Sequence, residues 1–283
     1  MTVKFLKKKA FQEFKSLLKK AFNEDRVKED ITTQVLGAKI VTAEIFAKER
    51  CILCGIEFVK FAFLNRDKKL KVSVLKKDGK LLKKGDVILK IKGDLRSILS
   101  VERTALNFLS FLSGIATRTF EFRRKIASLW GKNSPQLLDT RKTIPCYRYL
   151  SKYAVKVAGA ENHRFDLSQI PMVKDNHFKG FGRRKILEVF EGKKAIIEVD
   201  SVKDARQILK IKPLVLLCDN FSPANLKKVV KMKDLISPAT LIEISGGINE
   251  KTIKKYRNIK IDRISAGFLT HSVKSIDFSL EVV

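Results

Sequence analysis

The spacing of the hydrophobic positions changes along the chain, and in the first part it is typical of a small α+β unit. It predicts an amphipathic helix at the start, a short apolar helix at 55–64 and several alternating strands. The helix face consists of Phe5, Leu6, Ala10, Phe11, Phe14, Leu17, Leu18, Ala21 and Phe22. The strand positions are Val41, Ala43, Ile45 and Ala47, then Leu70, Val72 and Val74, then Val87, Leu89 and Ile91.

A long helical pattern at 97–129 follows, and Gly114 is expected to interrupt it. Beyond it, apolar strands alternate with helical segments such as 201–211 and 222–230, the latter with a predicted Ser222-Pro223 cap. The six strands are predicted at 136–138, 170–173, 195–199, 214–218, 241–244 and 261–265. Their spacing is typical of βαβ units in a parallel sheet, and a seventh strand near the long helix is left open. The count favours a closed βα barrel over an open sheet.

Polar or glycine residues follow each of these strands. They are Asp139-Thr140-Arg141-Lys142, Lys174-Asp175-Asn176-His177, Glu198 with Asp200, Asp219-Asn220, Ser245-Gly246-Gly247 and Ala266-Gly267. Since a parallel barrel brings these strand ends to one rim, we expect them to converge. The early ones are cationic and suit a carboxylate-bearing ligand. The middle carboxylates suit sugar hydroxyls or a metal-bound phosphoryl group, and the glycines, before a helix expected near Asn249, suit a phosphate. The sequence thus predicts that a phosphorylated sugar meets an organic acid.

Each of these features also has a simpler interpretation. The glycine pair also fits an ordinary turn, a strand-end Asp also caps a helix, and Arg141 or Lys142 also fits a solvated loop charge. Histidines are usually surface or core residues. Two of the three, His163 and His177, however, lie beside Arg164 and Lys174 inside the cationic clusters.

Composition narrows the class of protein. With 45% hydrophobic and 31% charged residues the chain is expected to fold, without a membrane span or a signal peptide, and we expect it in the cytoplasm. The net charge of +29 is dispersed in basic doublets along the chain, which favours a lysine-rich solvated surface over a nucleic-acid interface. Cys51 and Cys54 form a single CxxC with no second pair, so buried hydrophobic thiols are favoured over a zinc or redox site.

Several segments together resemble quinolinate phosphoribosyltransferase, the carboxylating nicotinate-nucleotide pyrophosphorylase family. They are ERTALNFLSFLSGIAT (102–117), LLDTRKTIP (137–145), KYAV (152–155), NHR (162–164), KDNH (174–177), IEV (197–199), DNFSP (219–223), EISGGI (243–248) and LTHS (269–272), with a weaker echo in EDITT (29–33). The resemblance implies an N-terminal α+β sandwich-like domain over 1–105, rejoined by the tail 270–283. It also implies an incomplete, TIM-like parallel α/β barrel over 106–269.

The resemblance further implies an activity and a set of site residues. The reaction would transfer phosphoribose from 5-phosphoribosyl-1-pyrophosphate (PRPP) to quinolinate with loss of CO₂, a step of de novo NAD biosynthesis, with Mg²⁺ carried by PRPP near Glu198 and Asp219. The catalytic residues would be Lys142, Glu198 and Asp219. The quinolinate-binding residues would be Arg103, Thr140, Arg141, Lys142, His163, Arg164 and Lys174. The phosphoribosyl-binding residues would be Glu198, Asp219, Ser245, Gly246, Gly247, Ala266, Gly267 and Phe268. The protein would be a homodimer, with Arg103 supplied by the neighbouring subunit.

The chain departs from the family pattern at a few positions near the site. Cys146 stands where a Gly is usual, and Phe165-Asp166 where a small residue and a Gly are common. Val157-Ala158 replaces a Cys-Gly pair, and Asp200 replaces the second Glu of an EVE pattern. These changes bear on loop geometry and affinity more than on the class of reaction.

Three alternatives remain. A related phosphoribosyltransferase would use nicotinate, and a molybdenum-associated paralogue usually lacks the Lys that stands here as Lys174. A basic nucleic-acid-binding protein on a barrel scaffold would bind generic strands with a steep salt dependence.

Overall fold

The computed structural model describes residues 3–283, which form two compact units. Unit one contains the chain up to Phe120, residues 143–159 and residues 269–283, and unit two contains 121–142 and 160–268. The domain boundary expected near residue 105 stays a prediction, and the first unit extends to Phe120 by its internal packing.

Ten α-helices and twelve strands make up the described chain. The helices are α1 Val3–Glu24, α2 Ile31–Val35, α3 Ile56–Arg66, α4 Leu95–Trp130, α5 Arg148–Val157, α6 Asp175–Phe181, α7 Arg183–Phe190, α8 Val202–Lys210, α9 Pro223–Ile236 and α10 Phe268–His271. The strands are β1 Ile40–Ala47, β2 Cys51–Ile52, β3 Lys71–Val74, β4 Leu81–Leu82, β5 Val87–Asp94, β6 Gln136–Leu138, β7 Met172–Val173, β8 Ile196–Val199, β9 Val215–Asp219, β10 Leu241–Ser245, β11 Arg263–Ser265 and β12 Phe278–Val282. None of the helices in residues 3–283 combines the length and the hydropathy of a membrane-spanning segment.

Unit one is an α+β structure around an antiparallel sheet in the order β12-β1-β5-β3. Helix α1 buries one stripe of residues at every fourth position, Leu6, Ala10, Phe14 and Leu18, as its amphipathic pattern predicts, whereas Phe5, predicted on the same face, is exposed. In the core, the ring of Phe14 stacks on Phe58 with 5.1 Å between their centroids. The C-terminal strand β12 pairs with β1, so the end of the chain completes this sheet.

Helix α4 runs without a break through Gly114, so the predicted interruption there is wrong. A Cβ atom at Gly114 would collide with the carbonyl oxygen of Lys274 and lie 2.8 Å from Cγ1 of Val273. Because Gly114 has no Cβ atom, the C-terminal segment can approach the helix closely at this point. The glycine does not mark a helix end.

Unit two is built on a six-stranded sheet in which every pair is parallel. The order β6-β11-β10-β9-β8-β7 leaves β6 and β7 unpaired with each other at the two ends, so the closed barrel favoured by the strand count is wrong and the incomplete α/β barrel implied by the resemblance agrees. The six strands predicted from the sequence are confirmed within one or two residues at their ends, and no seventh strand joins this sheet in residues 3–283. The helix expected near Asn249 is wrong, because only a 3₁₀ turn at Ile253–Tyr256 follows.

The helix beginnings in unit two follow their capping residues. The Oγ of Ser201 accepts a hydrogen bond from the N–H of Asp204 and begins α8. The Oγ of Ser222 accepts from Asn225, with Pro223 in the first turn of α9, which confirms the predicted cap. These short connections fix where β8 and β9 end, and hence where Glu198 and Asp219 lie.

Candidate active site

The six strand ends of unit two share one edge of the sheet, because all strands run in the same direction. The cationic segments follow β6 and β7 at the two ends of the order. Between them lie the glycine-rich ends of β11 and β10, and then the carboxylate-bearing ends of β9 and β8. Residues that are far apart in sequence are thus sorted by chemistry along a single edge.

Buried Asp139 ties the segment with His163 and Arg164 to the end of β6. Its Oδ2 accepts a hydrogen bond from Nδ2 of Asn162 at 2.7 Å, and its Oδ1 accepts from the backbone N–H of His163 at 2.9 Å. Leu138 and Glu161 also form a parallel bridge. These contacts bring Arg164 to the strand end that carries Arg141.

Arg141 and Arg164 lie near enough for their charges to interact. Burial and the positive charge of Arg141 lower the pKa of Arg164, while the negative charge of Asp166 raises it. The Nε atom of Arg164 is buried and has no hydrogen-bond acceptor among residues 3–283. Asp166 accepts hydrogen bonds from the N–H and Oγ of Ser168, which, with a smaller contribution from Arg141, lower its pKa. Two repelling guanidinium groups with an unused buried donor favour an anionic ligand.

Lys174 lies at the end of β7 and pairs with a carboxylate on the neighbouring strand. Its Nζ is 2.9 Å from Oε2 of Glu198. Its backbone N–H donates to Nδ1 of His177 at 3.0 Å, so His177 helps to begin helix α6. The contact assigns His177 a structural role, which agrees with its simpler interpretation.

A cleft of about 520 Å³ opens at the ends of β8 and β9. It is lined by Asp175, Phe178, Lys179, Arg183, Glu198, Val199, Asp200, Asp204, Asp219 and Asn220. Glu198 and Asp219, the two carboxylates predicted to act on the ribose, thus share one cavity. Arg183 is held by Asp204 through an ion pair of 2.8 Å, so this arginine already has a partner.

The turn after β10 presents backbone donors. Gly246 and Gly247 have φ angles of 80° and 59°, in the left-handed region that glycine adopts readily. A Cβ atom at Gly246 would collide with the side-chain amide of Asn220, whose backbone N–H donates to the carbonyl of Ser245. The N–H groups of Gly246 and Gly247 have no acceptor within the described residues. Adjacent free N–H groups in such a turn can bind a phosphate.

The end of β11 differs from this turn. The N–H of Ala266 donates to the carbonyl of Leu138 at 3.0 Å, so this donor is engaged within the sheet. Phe268 begins α10, and its ring contacts Phe122 edge-on at 5.0 Å. Phosphate binding by Ala266, Gly267 and Phe268 stays a prediction.

The remaining predicted residues are found in both units. Oγ1 of Thr140 accepts a hydrogen bond from the N–H of Lys142 at 3.0 Å, which shapes the turn after β6 and leaves Lys142 exposed. Arg103 lies in unit one, exposed on helix α4.

Sequence reasoning missed the buried Glu243 on β10 and its half-buried ion-pair partner Arg263 on β11. The signal was present, because Glu243 is a single acidic residue inside the apolar run LIEIS. The apolar run predicts a strand, but it does not show on which face of the strand the glutamate lies.

The cysteine pair shows no feature of a reactive site. Cys51 and Cys54 are buried free thiols, and burial raises the pKa of Cys51 to about 12. Among residues 3–283, no group of three or more His, Cys, Asp or Glu side chains clusters as a metal site. The interpretation of the CxxC as small buried hydrophobic residues is consistent with this burial.

Comparison with known proteins gives consistent matches over nearly the whole chain. The family "Quinolinate phosphoribosyl transferase, N-terminal domain" matches residues 30–113, and its C-terminal domain matches residues 115–281. A "Probable nicotinate-nucleotide pyrophosphorylase [carboxylating]" of Methanocaldococcus jannaschii is 39% identical over 94% of this chain and 96% of its own. A protein of the same name in Bacillus subtilis is 36% identical, covering 95% and 93%.

Solved structures agree. The crystal structure of NadC from Streptococcus pyogenes superposes with a TM-score of 0.87 at 35% identity, over 95% of this chain and 96% of that one. A human nicotinic acid phosphoribosyltransferase, with a TM-score of 0.57 at 11% identity over 91% and 74% of the two chains, shares the fold alone. These matches confirm the resemblance and the fold class inferred from the sequence.

Proposed function

Because the chain belongs to the quinolinate phosphoribosyltransferase family, we propose that it transfers phosphoribose from PRPP to quinolinate with decarboxylation. The products are nicotinate mononucleotide, pyrophosphate and CO₂, and the reaction serves de novo NAD biosynthesis. The observation that carries the proposal is the arrangement of the strand ends, in which cationic, glycine-rich and carboxylate segments lie along one edge.

The dicarboxylate binds to the cationic groups that follow β6 and β7. Arg141 and Arg164 are two neighbouring guanidinium groups, and each is suited to one carboxylate through a planar pair of donors. Lys142 and Lys174 add positive charge, while Thr140 and His163 complete the predicted set. A monocarboxylate such as nicotinate offers one carboxylate to two guanidinium groups, whereas quinolinate offers two, which favours quinolinate over the nicotinate alternative.

PRPP lies across the next strand ends. The N–H groups of Gly246 and Gly247 bind the 5-phosphate, with the hydroxyl of Ser245 beside them. The carboxylates of Glu198 and Asp219 accept hydrogen bonds from the ribose hydroxyls in the shared cleft.

Mg²⁺ would bind together with PRPP, so it belongs to the substrate. Glu198 and Asp219 are the two carboxylates of the cleft that are expected beside this ion. Oε2 of Glu198 already contacts Lys174. Two carboxylates suit an ion that takes its other ligands from phosphate oxygens and water. The ion supplies partial neutralisation of the departing pyrophosphate.

The bond between ribose C1 and the pyrophosphate oxygen breaks, and both electrons leave with pyrophosphate. The lone pair of the pyridine nitrogen forms the bond to C1, which makes the ring cationic. The bond to the 2-carboxylate then breaks, its electron pair stays on the cationic ring, and CO₂ departs. A proton from water takes the place of the carboxylate at that ring carbon. Glu198 and Asp219 stabilise the positive charge that develops on the ribose, and the cationic groups hold the acid in line with C1.

The site is completed across a homodimer, in which Arg103 of one subunit reaches the quinolinate bound to the other. An exposed arginine on a long helix suits such a contribution. The protein works in the cytoplasm, and its dispersed basic charge serves no specific nucleic acid.

Mixing two inactive variants tests this proposal. Lys142→Ala and Arg103→Ala are each expected to lower kcat/KM with quinolinate about a hundredfold, because each removes a charge that faces the substrate. After subunit exchange an equal mixture recovers about a quarter of native activity, since half the dimers are mixed and each has one intact site. A native protein that forms no nicotinate mononucleotide contradicts the proposed reaction, and a mixture that stays inactive contradicts the shared site.

A further inference from the structure

A buried carboxylate contacts the histidine that precedes Arg164. Glu243, in the middle of β10, is 0% exposed, and its neighbours Ile242 and Ile244 take the opposite face of the strand. Its Oε1 lies 3.3 Å from Nε2 of His163, and its Oε2 lies 3.0 Å from Nε of Arg263. Arg263 is its register partner on β11, whereas His163 comes from the segment that precedes β7.

The contacts of His163 define the protonation of its ring. Its Nδ1 accepts a hydrogen bond from the backbone N–H of Arg164 at 2.9 Å, so this nitrogen carries no proton. The proton of the neutral ring is therefore on Nε2, which faces Glu243. Burial raises the pKa of Glu243, but its contacts with His163 and Arg263 outweigh burial and hold the pKa below its ordinary value. Glu243 is thus an ionised acceptor at neutral pH.

We propose that Glu243 is a positioning residue that acts through His163 on Arg164 and thereby sets the geometry of the arginine pair. The inference rests on the proposed function, because it assigns the binding of quinolinate to Arg141 and Arg164. The connection runs from Oε1 of Glu243 to Nε2 of His163, and from Nδ1 of the same ring to the backbone of Arg164.

Neutralisation of Arg263 alone does not explain this arrangement. A buried ion pair is often no more stabilising than apolar residues of similar volume, so stability gives little reason to keep it. Glu243 also receives a third group, His163, from outside the sheet. A carboxylate presents one negatively charged oxygen to each neighbour, whereas an amide has only one acceptor oxygen and no charge.

Glu243→Gln tests the proposal through the two Michaelis constants. We expect KM for quinolinate to rise about tenfold or more, because a small displacement of Arg164 misplaces the acid. KM for PRPP changes less than about twofold, because the Ser245-Gly246-Gly247 turn takes no part in the connection. That turn lies on the same strand, only two residues further on, so a general distortion of β10 raises both constants equally.

The matched control is Glu188→Gln, which replaces an exposed glutamate paired with Arg184 on α7 and leaves both constants unchanged. An unchanged KM for quinolinate in Glu243→Gln overturns the proposal, and so does an equal rise in KM for PRPP.

A second measurement needs no variant. The ¹⁵N signals of the three histidines in the native protein report which ring nitrogen carries the proton. His163 is expected with the proton on Nε2, and His177, whose Nδ1 accepts from the N–H of Lys174, serves as an internal reference for that tautomer. A proton on Nδ1 of His163 overturns the proposal. Native protein that fails to consume quinolinate instead refutes the proposed function, so the two failures are distinct.

Discussion

The Nζ of Lys174 lies 2.9 Å from Oε2 of Glu198, across the ends of two neighbouring parallel strands. Val173 and Ile197 are register partners, so the next residue of each strand reaches the edge side by side. The pair joins a cation predicted to bind quinolinate to a carboxylate predicted to act on the ribose. On these predicted roles, each substrate would contact one member of the same ion pair.

The first prediction concerns this pair. Lys174→Met and Glu198→Gln are each expected to lower kcat/KM, and the double variant to lose less than the product of the two losses. Because the side chains are 44% and 17% exposed, their coupling in the free energy of unfolding is expected below about 1 kcal/mol. A double-mutant cycle on kcat/KM and on urea unfolding measures both couplings. Independent effects on kcat/KM would show that the two residues act separately.

The second prediction concerns the Ser245-Gly246-Gly247 turn after β10. Gly246→Ala combines a left-handed φ of 80° with a collision against Asn220, and it is expected to lower stability by at least about 2 kcal/mol and to raise KM for PRPP. Gly192→Ala is the control, since Gly192 has φ of 67° and open space around it. It should lose about 1 kcal/mol and keep its kinetics. Equal kinetic effects of the two substitutions would rule out a phosphate role for the turn.

The third prediction concerns Cys146. This exposed residue has φ of 60°, a conformation unfavourable for a residue with a Cβ atom. Cys146→Gly is expected to raise the free energy of unfolding by about 0.5–1 kcal/mol, because relief of strain exceeds the added freedom of the unfolded chain. Cys146→Ala keeps the strain and should change little. Chemical denaturation of the three proteins is the measurement, and equal stability of all three would disprove the strain.

The fourth prediction is a pH dependence of stability. The contacts of Glu243 lower its pKa below the ordinary value of 4.5, despite burial. The unfolded chain therefore binds more protons between the two pKa values, and stability rises with pH in that range. The contribution is complete above about pH 4.5 and is lost as pH falls through the folded pKa. Unfolding free energies from pH 3 to 7 should show a shallower acid decline in Glu243→Gln. Parallel curves for both proteins would contradict this.

Local pattern in the sequence predicts much of this fold. The positions of the parallel strands follow from apolar runs bounded by polar residues, and the cap of α9 from Ser222-Pro223. The helix interruption predicted at Gly114 is wrong, because this glycine is needed for a close contact with the C-terminal segment. Such a contact cannot be predicted from the local sequence.

The residue types of the site could be predicted from the sequence, but their arrangement in space could not. The converging strand ends follow from parallel topology, whereas the spatial order, with cationic segments at both ends, depends on which strands pair. The buried contacts of His163 could not be read from spacing, because Glu243 lies 80 residues away in sequence. The backbone strain at Cys146 could not be predicted either, because nothing in the local sequence reveals its φ of 60°.

The most direct test of the central claim uses quinolinate labelled in its 2-carboxylate, with PRPP and Mg²⁺, against nicotinate in a parallel reaction. We predict one labelled CO₂ for each pyrophosphate formed from quinolinate, and no pyrophosphate from nicotinate. Consumption of nicotinate alone, or pyrophosphate release from quinolinate without CO₂, would contradict the account.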